Sequence, residues 1–179
     1  MIELWLAAVV LLFVPYEYLH WGLLAFLLLS VPGLRARWGG PPYVRSSKKT
    51  QDGMIRLAGI RPGDVVYDLG CGDGTLVRRA AREGAFAYGI EASLLTFLLA
   101  WVWSLPTRNA RIRFGDLWQG NYADADVVFV YLLIASMERF KKDIWPTLKP
   151  GCHVVSNSFR MKGLTPEKEE AGAFLYVKR

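Results

Sequence analysis

Short apolar runs alternate with amphipathic stretches along most of this chain. Val65–Leu69 is a β-branched and aromatic run typical of a buried strand, and Thr75–Arg82 has helical spacing with its arginines on one face. Residues 161–172 are polar and predict a loop. Strands that alternate with helices predict an α/β fold with a mainly parallel sheet. The further predicted strands are 85–90, 111–114, 125–133, 152–157 and 173–177, and the further predicted helices are 46–60, 93–105 and 136–148.

The predicted helix 93–105 has almost no polar face. Leucine, phenylalanine, tryptophan and valine side chains lie all round it, whereas a sheet can cover only one side of a helix. At about 18 Å it is too short to span a bilayer whose hydrocarbon core is about 30 Å thick. Its outer side is therefore expected to meet lipid, the N-terminal segment or another chain.

The N-terminal segment, residues 4–31, is almost wholly apolar and is interrupted near its middle by Pro15 and Glu17. As one helix it would be about 42 Å long, more than a bilayer core of ~30 Å requires, so it would tilt or kink. Three arrangements stay open: one kinked transmembrane helix, a hairpin of two arms, or packing on the following domain. Glu3, in place of a basic N-terminal region, disfavours a cleaved signal peptide. Residues 1–34 are predicted to be a membrane anchor.

A basic stretch rich in glycine and proline, residues 35–45, predicts a linker between this anchor and a domain of residues 46–179. Positive charge on this side of the anchor predicts that the domain lies on the cytoplasmic side of a membrane. The chain has a net charge of +6, which by itself suits an anionic membrane as well as nucleic acid. We predict the lipid bilayer as a partner, and no nucleic acid. The two cysteines have neither metal-binding nor disulfide spacing, so we predict no metal and a reducing compartment.

A glycine-rich turn joins the first predicted strand to its helix. Asp68 precedes three glycines at alternate positions, Gly70, Gly72 and Gly74. Glycines leave one wall of the turn without side chains, so that a ligand can reach backbone N–H groups at the start of the helix. The turn is therefore a candidate ligand-binding site.

The second predicted strand ends in an acid that complements this turn. Glu91 follows Gly70 by about 20 positions, the interval that places a carboxylate beside a ribose diol in a βαβ nucleotide-binding unit. The glycine spacing differs from the G-x-G-x-x-G of dinucleotide sites, and Asp73 within the turn would repel a pyrophosphate. These residues favour a nucleoside with a cationic or zwitterionic tail over a dinucleotide.

With these features the chain resembles the class I S-adenosylmethionine-dependent methyltransferases. It is similar to one branch in particular, the protein-lysine methyltransferases that include the mitochondrial ATP synthase c-subunit and adenine nucleotide translocase enzymes and small prokaryotic relatives. The resemblance implies a Rossmann-like fold, S-adenosylmethionine as the cofactor and a protein acceptor. The matching pieces are Pro42-Tyr43-Val44-x-Ser46, 65–74, 89–91, Tyr131-Leu132-Leu133, 148–151, 154–156 and Phe159.

The resemblance also implies which residues bind the cofactor. The ribose hydroxyls would be bound by Glu91, and the adenine edge would lie beside Asp116 and Leu117, which follow the third strand. The methionine end would lie in the turn, where the predicted contacts are Asp68, Gly70, Cys71, Gly72, Asp73 and Gly74.

Methyl transfer from a sulfonium requires the donor and the acceptor to be held near 3 Å apart more than it requires a strong base. Aromatic walls tolerate the positive sulfonium, and Tyr43 and Tyr131 are the candidates for them. Asn157, at the end of the fifth strand where the family usually has a histidine, is the third candidate catalytic residue.

We therefore predict a membrane-anchored methyltransferase that acts on a lysine of a membrane or membrane-proximal protein. Two other functions stay open. One is methylation of a lipid or quinone, for which helix 93–105 would be an entry surface. The other is a non-catalytic, nucleotide-binding membrane adaptor.

Overall fold

The computed structural model describes residues 46–179 together with His20 and Trp21. The rest of the predicted anchor, the linker and the candidate Tyr43 lie outside the described residues. In the part of the chain that is described, no helix is long and apolar enough to cross a membrane. Residues 46–179 form an α/β fold, the class that the sequence pattern predicts.

Helices and strands alternate through most of this region. The helices are α1 (Lys48–Ala58), α2 (Thr75–Arg82), α3 (Leu94–Ser104) and α4 (Ile134–Asp143). Short 3₁₀ turns lie at Leu117–Gln119 and Trp145–Thr147. The strands are β1 (Val65–Leu69), β2 (Phe86–Glu91), β3 (Ala110–Phe114), β4 (Val127–Val130), β5 (His153–Asn157), β6 (Lys168–Glu170) and β7 (Ala173–Val177).

The strands of the described region form one sheet in the order β3-β2-β1-β4-β5-β7-β6. Strands β1 to β5 pair in parallel, and β7 pairs antiparallel with β5 and β6. The mainly parallel sheet is thus confirmed. The strand order reverses between β1 and β4, and in open parallel sheets ligands bind in the crevice at the carboxyl ends of such strands.

An apolar core covers each face of the sheet. On one face α1, α2 and α3 pack over a core that includes Val77 and Phe129, both fully buried. On the other face α4 and the chain around Tyr122 pack over a core that includes Tyr67 and Phe140. Parallel strands are buried on both faces, which is why every residue of β4 is apolar and buried.

Two predicted elements are longer than the observed ones. The predicted strand 125–133 is confined to β4, and α4 begins soon afterwards at Ile134. The predicted helix 136–148 ends at Asp143 and is followed by a 3₁₀ turn that contains Pro146. Proline lacks an N–H and clashes with the preceding helical turn, so the α-helix does not continue through it.

The predicted loop 161–172 is wrong near its end, because β6 lies within it. The sequence of β6 is Lys-Glu-Glu, which has no apolar alternation to reveal a strand. Within the described sheet it lies at the edge and pairs with β7. Charged residues are common on edge strands because they discourage pairing with other chains.

Gly89 in β2 is the point where the glycine-rich turn approaches the sheet most closely. A Cβ there would lie 2.6 Å from Cys71 Sγ and 2.8 Å from Val77 Cγ2. We expect Gly89→Ala to lower the free energy of unfolding by about 1–3 kcal/mol, the usual cost of overpacking. Urea denaturation followed by circular dichroism measures this loss.

The matched control is Gly115→Ala, because a Cβ at Gly115 would meet nothing within 4 Å. It should change the free energy of unfolding much less than Gly89→Ala. Equal effects of the two substitutions would contradict the close approach.

Candidate active site

The glycine-rich turn lies at the carboxyl end of β1, in the middle of the parallel strands. Gly70, Gly72 and Gly74 have φ angles of 83°, 54° and 72°, which glycine adopts without steric cost. The N–H groups of Gly70 and Cys71 both donate to the carbonyl of Ile90 at 3.0 Å. A Cβ at Gly70 would meet nothing within 4 Å. The turn is therefore held against β2 and is open at Gly70.

Glu91, the last residue of β2, reaches the same turn. Its Oε2 accepts a hydrogen bond from the N–H of Gly72 at 3.0 Å, and its Oε1 accepts one from the N–H of Ser93 at 2.8 Å. The structure thus brings this acid to the glycine turn, as the sequence spacing predicts. Its role as the ribose contact stays a prediction.

Three carboxyl groups gather around the turn. Asp68, at the end of β1, is 6% exposed. Its burial, together with the negative charges of Glu91 and Asp73, raises the pKa of Asp68 from 3.8 to about 8. Asp73 Oδ1 accepts a hydrogen bond from the N–H of Thr75 at 3.0 Å, which places this acid at the start of α2. Acids clustered in a partly buried site favour a cationic ligand.

Cys71 differs from the other residues of the turn. Its thiol is buried against Gly89, and burial raises the pKa of Cys71 well above its usual value. A thiol that stays protonated is a poor nucleophile. The thiol of Cys71 therefore packs against β2, and the predicted contact of this residue with the cofactor stays a prediction.

The chain after β3 contains Asp116 and Leu117, which are predicted to lie beside the adenine edge of the cofactor. The N–H of Gly115 donates to the carbonyl of Glu91 at 3.0 Å, which brings this segment beside the end of β2. Asp116 is exposed and accepts a hydrogen bond from the N–H of Trp118 at 3.0 Å, while Leu117 is half-buried. Next to them opens a cleft of about 230 Å³, whose lining includes Ile90, Phe114, Asp116 and Tyr122.

A larger cleft, of about 360 Å³, lies between Trp145, Leu164 and Tyr176 and contains none of the predicted site residues. Cleft size alone therefore does not identify the site. Among residues 20–21 and 46–179, no group of three or more histidine, cysteine or acidic side chains is arranged to hold a metal ion. That the protein needs no metal stays a prediction.

The ends of β4 and β5 carry two of the predicted catalytic residues, Tyr131 and Asn157. Tyr131 directly follows β4, and its ring stacks on Phe159 with centroids 6.5 Å apart and an interplanar angle of 25°. Phe159 is part of the family pattern, but its pairing with Tyr131 could not be predicted from the sequence. Aromatic faces attract cations, so the pair is suited to line a site for a positively charged donor.

Asn157 ends β5 and is 3% exposed. Its Nδ2 donates to Ser46 Oγ at 2.7 Å, and its Oδ1 accepts from Ser158 Oγ at 2.8 Å. Both ends of its amide are thus engaged, and they tie the chain before α1 to the end of β5. Ser158 has a φ of 63°, a conformation that is uncommon outside glycine and that clusters at functional sites. We interpret Asn157 as a positioning residue for this corner of the site.

The residues around the turn suit S-adenosylmethionine in charge, and the turn is open to a ligand at Gly70. The cofactor carries a positive sulfonium and a positive ammonium group, which match the cluster of Asp68, Asp73 and Glu91. The cofactor can approach the turn closely at Gly70, where a Cβ would meet nothing within 4 Å. Glu91 has the carboxylate needed to accept hydrogen bonds from ribose hydroxyls.

Comparison with known proteins places this site in a family. Residues 68–168, more than half of the chain, match the ANTKMT methyltransferase domain. A protein-lysine N-methyltransferase of Saccharolobus islandicus is 33% identical over 132 residues, which cover 71% of this chain and 82% of that protein. The Mus musculus lysine N-methyltransferase of the ATP synthase c-subunit is 28% identical over 129 residues, which cover 70% of this chain and 52% of that enzyme.

Among solved structures, an RNA methyltransferase from Salinibacter ruber in complex with S-adenosyl-L-homocysteine matches with a TM-score of 0.70 and 33% identity, over 75% of this chain and 94% of that one. The fold and the site therefore define a class I S-adenosylmethionine-dependent methyltransferase. Within this class, the chain belongs to the ANTKMT methyltransferase domain family. The predicted resemblance and the predicted cofactor are confirmed.

The first test of the site concerns Glu91. We expect Glu91→Ala to weaken S-adenosylmethionine binding by roughly 1.5–3 kcal/mol, because it removes hydrogen bonds made to a charged group. Isothermal titration calorimetry measures the change. The matched control is Glu83→Ala at the exposed end of α2, which should bind the cofactor like the wild type. Equal affinities of the two variants would contradict the assignment of Glu91.

The second test concerns the pH dependence of stability. Because the pKa of Asp68 is about 8 in the folded protein against 3.8 as the ordinary value, the folded state holds a proton that the unfolded state releases. This contribution to stability is fully present below about pH 4 and is lost as the pH rises to about 8. We expect Asp68→Asn, which has no such proton, to become progressively more stable relative to the wild type over this range.

Thermal unfolding of both proteins from pH 5 to pH 8.5, without cofactor, measures the difference in Tm. A difference that does not change with pH would show that the Asp68 carboxyl is not held protonated. Asp68→Asn should also lose affinity for S-adenosylmethionine, because a cationic ligand favours the ionised carboxylate.

Proposed function

We propose that this methyltransferase modifies the side-chain amine of a lysine on a membrane or membrane-proximal protein, and that residues 1–34 hold its domain at the cytoplasmic face of a membrane. The observation that carries the proposal is the family membership, together with a glycine turn tied to Glu91 at 3.0 Å. The relatives named as lysine methyltransferases support lysine as the acceptor. The apolar residues 4–31 and the basic linker support the anchor.

The turn supports the cofactor half of the reaction. When bound, S-adenosylmethionine supplies an electrophilic methyl group on a sulfonium, which a neutral amine takes by in-line displacement. Asp68 and Glu91 supply negative charge around the cofactor, and the glycines keep the path to the turn open. No side chain here is required as a strong base, because the proton of a lysine with a pKa near ~10.4 can be lost to solvent before the amine enters.

The surface formed by the chain after β4 supports the proposed methyl acceptor. Tyr131 and Phe159 form the aromatic pair, and Leu133 and Ile134 follow directly, with exposed fractions of 48% and 67%. The approach to the aromatic pair therefore has an apolar rim. Such a rim favours a lysine flanked by apolar residues, as in a protein segment at a membrane surface.

Labelled methyl transfer tests the proposal directly. The full-length protein is incubated with native membranes and S-adenosylmethionine that carries a labelled methyl group. We expect the label to remain with protein after lipid extraction and ribonuclease treatment, and to appear on lysine by mass spectrometry. Label in the lipid extract would favour lipid or quinone methylation, and label in RNA would favour an RNA acceptor; either result would overturn the proposal.

Matched variants test the two walls of the cofactor site. Glu91→Ala should lose labelling together with cofactor affinity. Tyr131→Leu should lower both labelling and cofactor affinity by roughly 2- to 30-fold, because a cation–π contact with the sulfonium is worth ~0.5–2 kcal/mol. Tyr131→Phe keeps the ring and should retain most of the activity.

A further inference from the structure

The outer face of α3 is an apolar stripe that no described part of the chain covers. Leu98, Trp101, Val102 and Leu105 follow one another at helical spacing, at positions i, i+3, i+4 and i+7. Their exposed fractions are 41%, 46%, 51% and 63%. Scattered exposed apolar residues are ordinary, but a contiguous patch of this kind marks an interaction surface.

The opposite side of α3 explains why the stripe is left open. Ala100 and Ser104 are buried, Phe97 is half-buried, and these three positions line the side that packs on the sheet. They are small apart from Phe97, so α3 lies close to β3 along a narrow contact. All the larger aliphatic and indole groups on the other side are left outside the core.

The charge around the stripe is of one sign. Between Glu91 and Asp116 the chain has three arginines and no acid. Arg108, just after α3, is exposed. Arg111 and Arg113 alternate on β3 with Ile112, which lies in the core under α3, so their side chains lie on the opposite face of the sheet, where Arg113 stacks over the Tyr88 ring at 5.0 Å. In addition, the guanidinium carbon of Arg78 lies 5.9 Å from the centre of the Trp103 ring. An apolar stripe with tryptophan, bordered by arginines, matches the apolar interior and anionic head groups of a membrane surface.

Two other occupants bury the stripe less well. Residues 4–31 as one helix would be about 42 Å long, against about 16 Å for α3, so packing one on the other would leave most of the longer segment exposed to water. As a hairpin of two arms, they would cover the stripe with one arm and leave the other arm exposed. A second copy on α3 would also bury the stripe, but a two-fold interface uses one patch twice, and this patch has no acid between Glu91 and Asp116 to meet Arg108. Lipid buries both apolar elements and attracts Arg108.

From these observations we propose that α3 is a second membrane-contact element, whose stripe Leu98, Trp101, Val102 and Leu105 inserts into the interface of an anionic bilayer while Arg108 meets its head groups. The proposal rests on the membrane anchoring in the proposed function and extends it. Two separate contacts with one bilayer fix the orientation of the domain, which a single attachment does not.

Fluorophores attached at single introduced cysteines test the proposal in the full-length protein. Both native cysteines are buried, so a thiol-reactive dye labels the introduced residue selectively. The three variants are Val102→Cys in the stripe, Lys142→Cys on the exposed side of α4 as the matched control, and Leu24→Cys in the predicted anchor. Each labelled protein is first shown to bind S-adenosylmethionine like the wild type, and is then incorporated into phosphatidylcholine vesicles with and without phosphatidylglycerol.

Quenching by lipids with brominated acyl chains reports contact with the bilayer. We expect strong quenching at position 102, weaker when phosphatidylglycerol is left out, and quenching several-fold lower at position 142. Quenching at 102 without quenching at 24 would still support α3 as a contact while rejecting the anchor. Quenching at 24 without quenching at 102 would overturn this proposal and leave the anchor standing. A dye at 102 that is shielded from water but not quenched by lipid would also overturn it, since another chain or residues 4–31 would then cover the stripe.

Discussion

One hydrogen bond joins the two parts of the cofactor site: the N–H of Gly72 donates to the carboxylate of Glu91 at 3.0 Å. It forms only if the turn after β1 lies directly against the end of β2. Gly89 permits this, because a Cβ there would lie 2.6 Å from Cys71 Sγ. Because Gly89 has no side chain, Cys71 can pack on the strand. This packing brings the turn within hydrogen-bonding distance of Glu91. The geometry of the site thus depends on the lack of a Cβ at Gly89 in the neighbouring strand.

The same close approach determines the electrostatics. Turn and strand together bring Asp68, Asp73 and Glu91 around one small volume, where burial and mutual repulsion raise the pKa of Asp68 to about 8. The binding of a cation beside such a cluster of acids is favourable. The site therefore selects its ligand by charge as well as by shape. A dinucleotide pyrophosphate would add negative charge to the cluster, whereas a sulfonium offsets it.

The exposed apolar surfaces outside this site are explained by the way helices cover the sheet in an α/β fold. Each helix has one side to pack on the sheet, and any apolar residue beyond that side needs another partner. Helix α3 and the rim at Leu133 and Ile134 both carry such residues, and both remain exposed in the described part of the chain. We propose that α3 determines where the enzyme lies and that the rim determines which acceptors reach it.

Local sequence was sufficient to predict the class of fold, the glycine turn and the acid that meets it, because each depends on residues that are near one another in one βαβ unit. It also showed that α3 has too many apolar residues for one sheet face. It did not reveal β6, whose polar residues form a strand only because β7 pairs with them. The role of Asn157 emerged only from the folded chain, where this residue binds Ser46 across 111 positions of sequence. Contacts of that range depend on how the sheet brings β5 and the start of α1 together, and no local pattern encodes them.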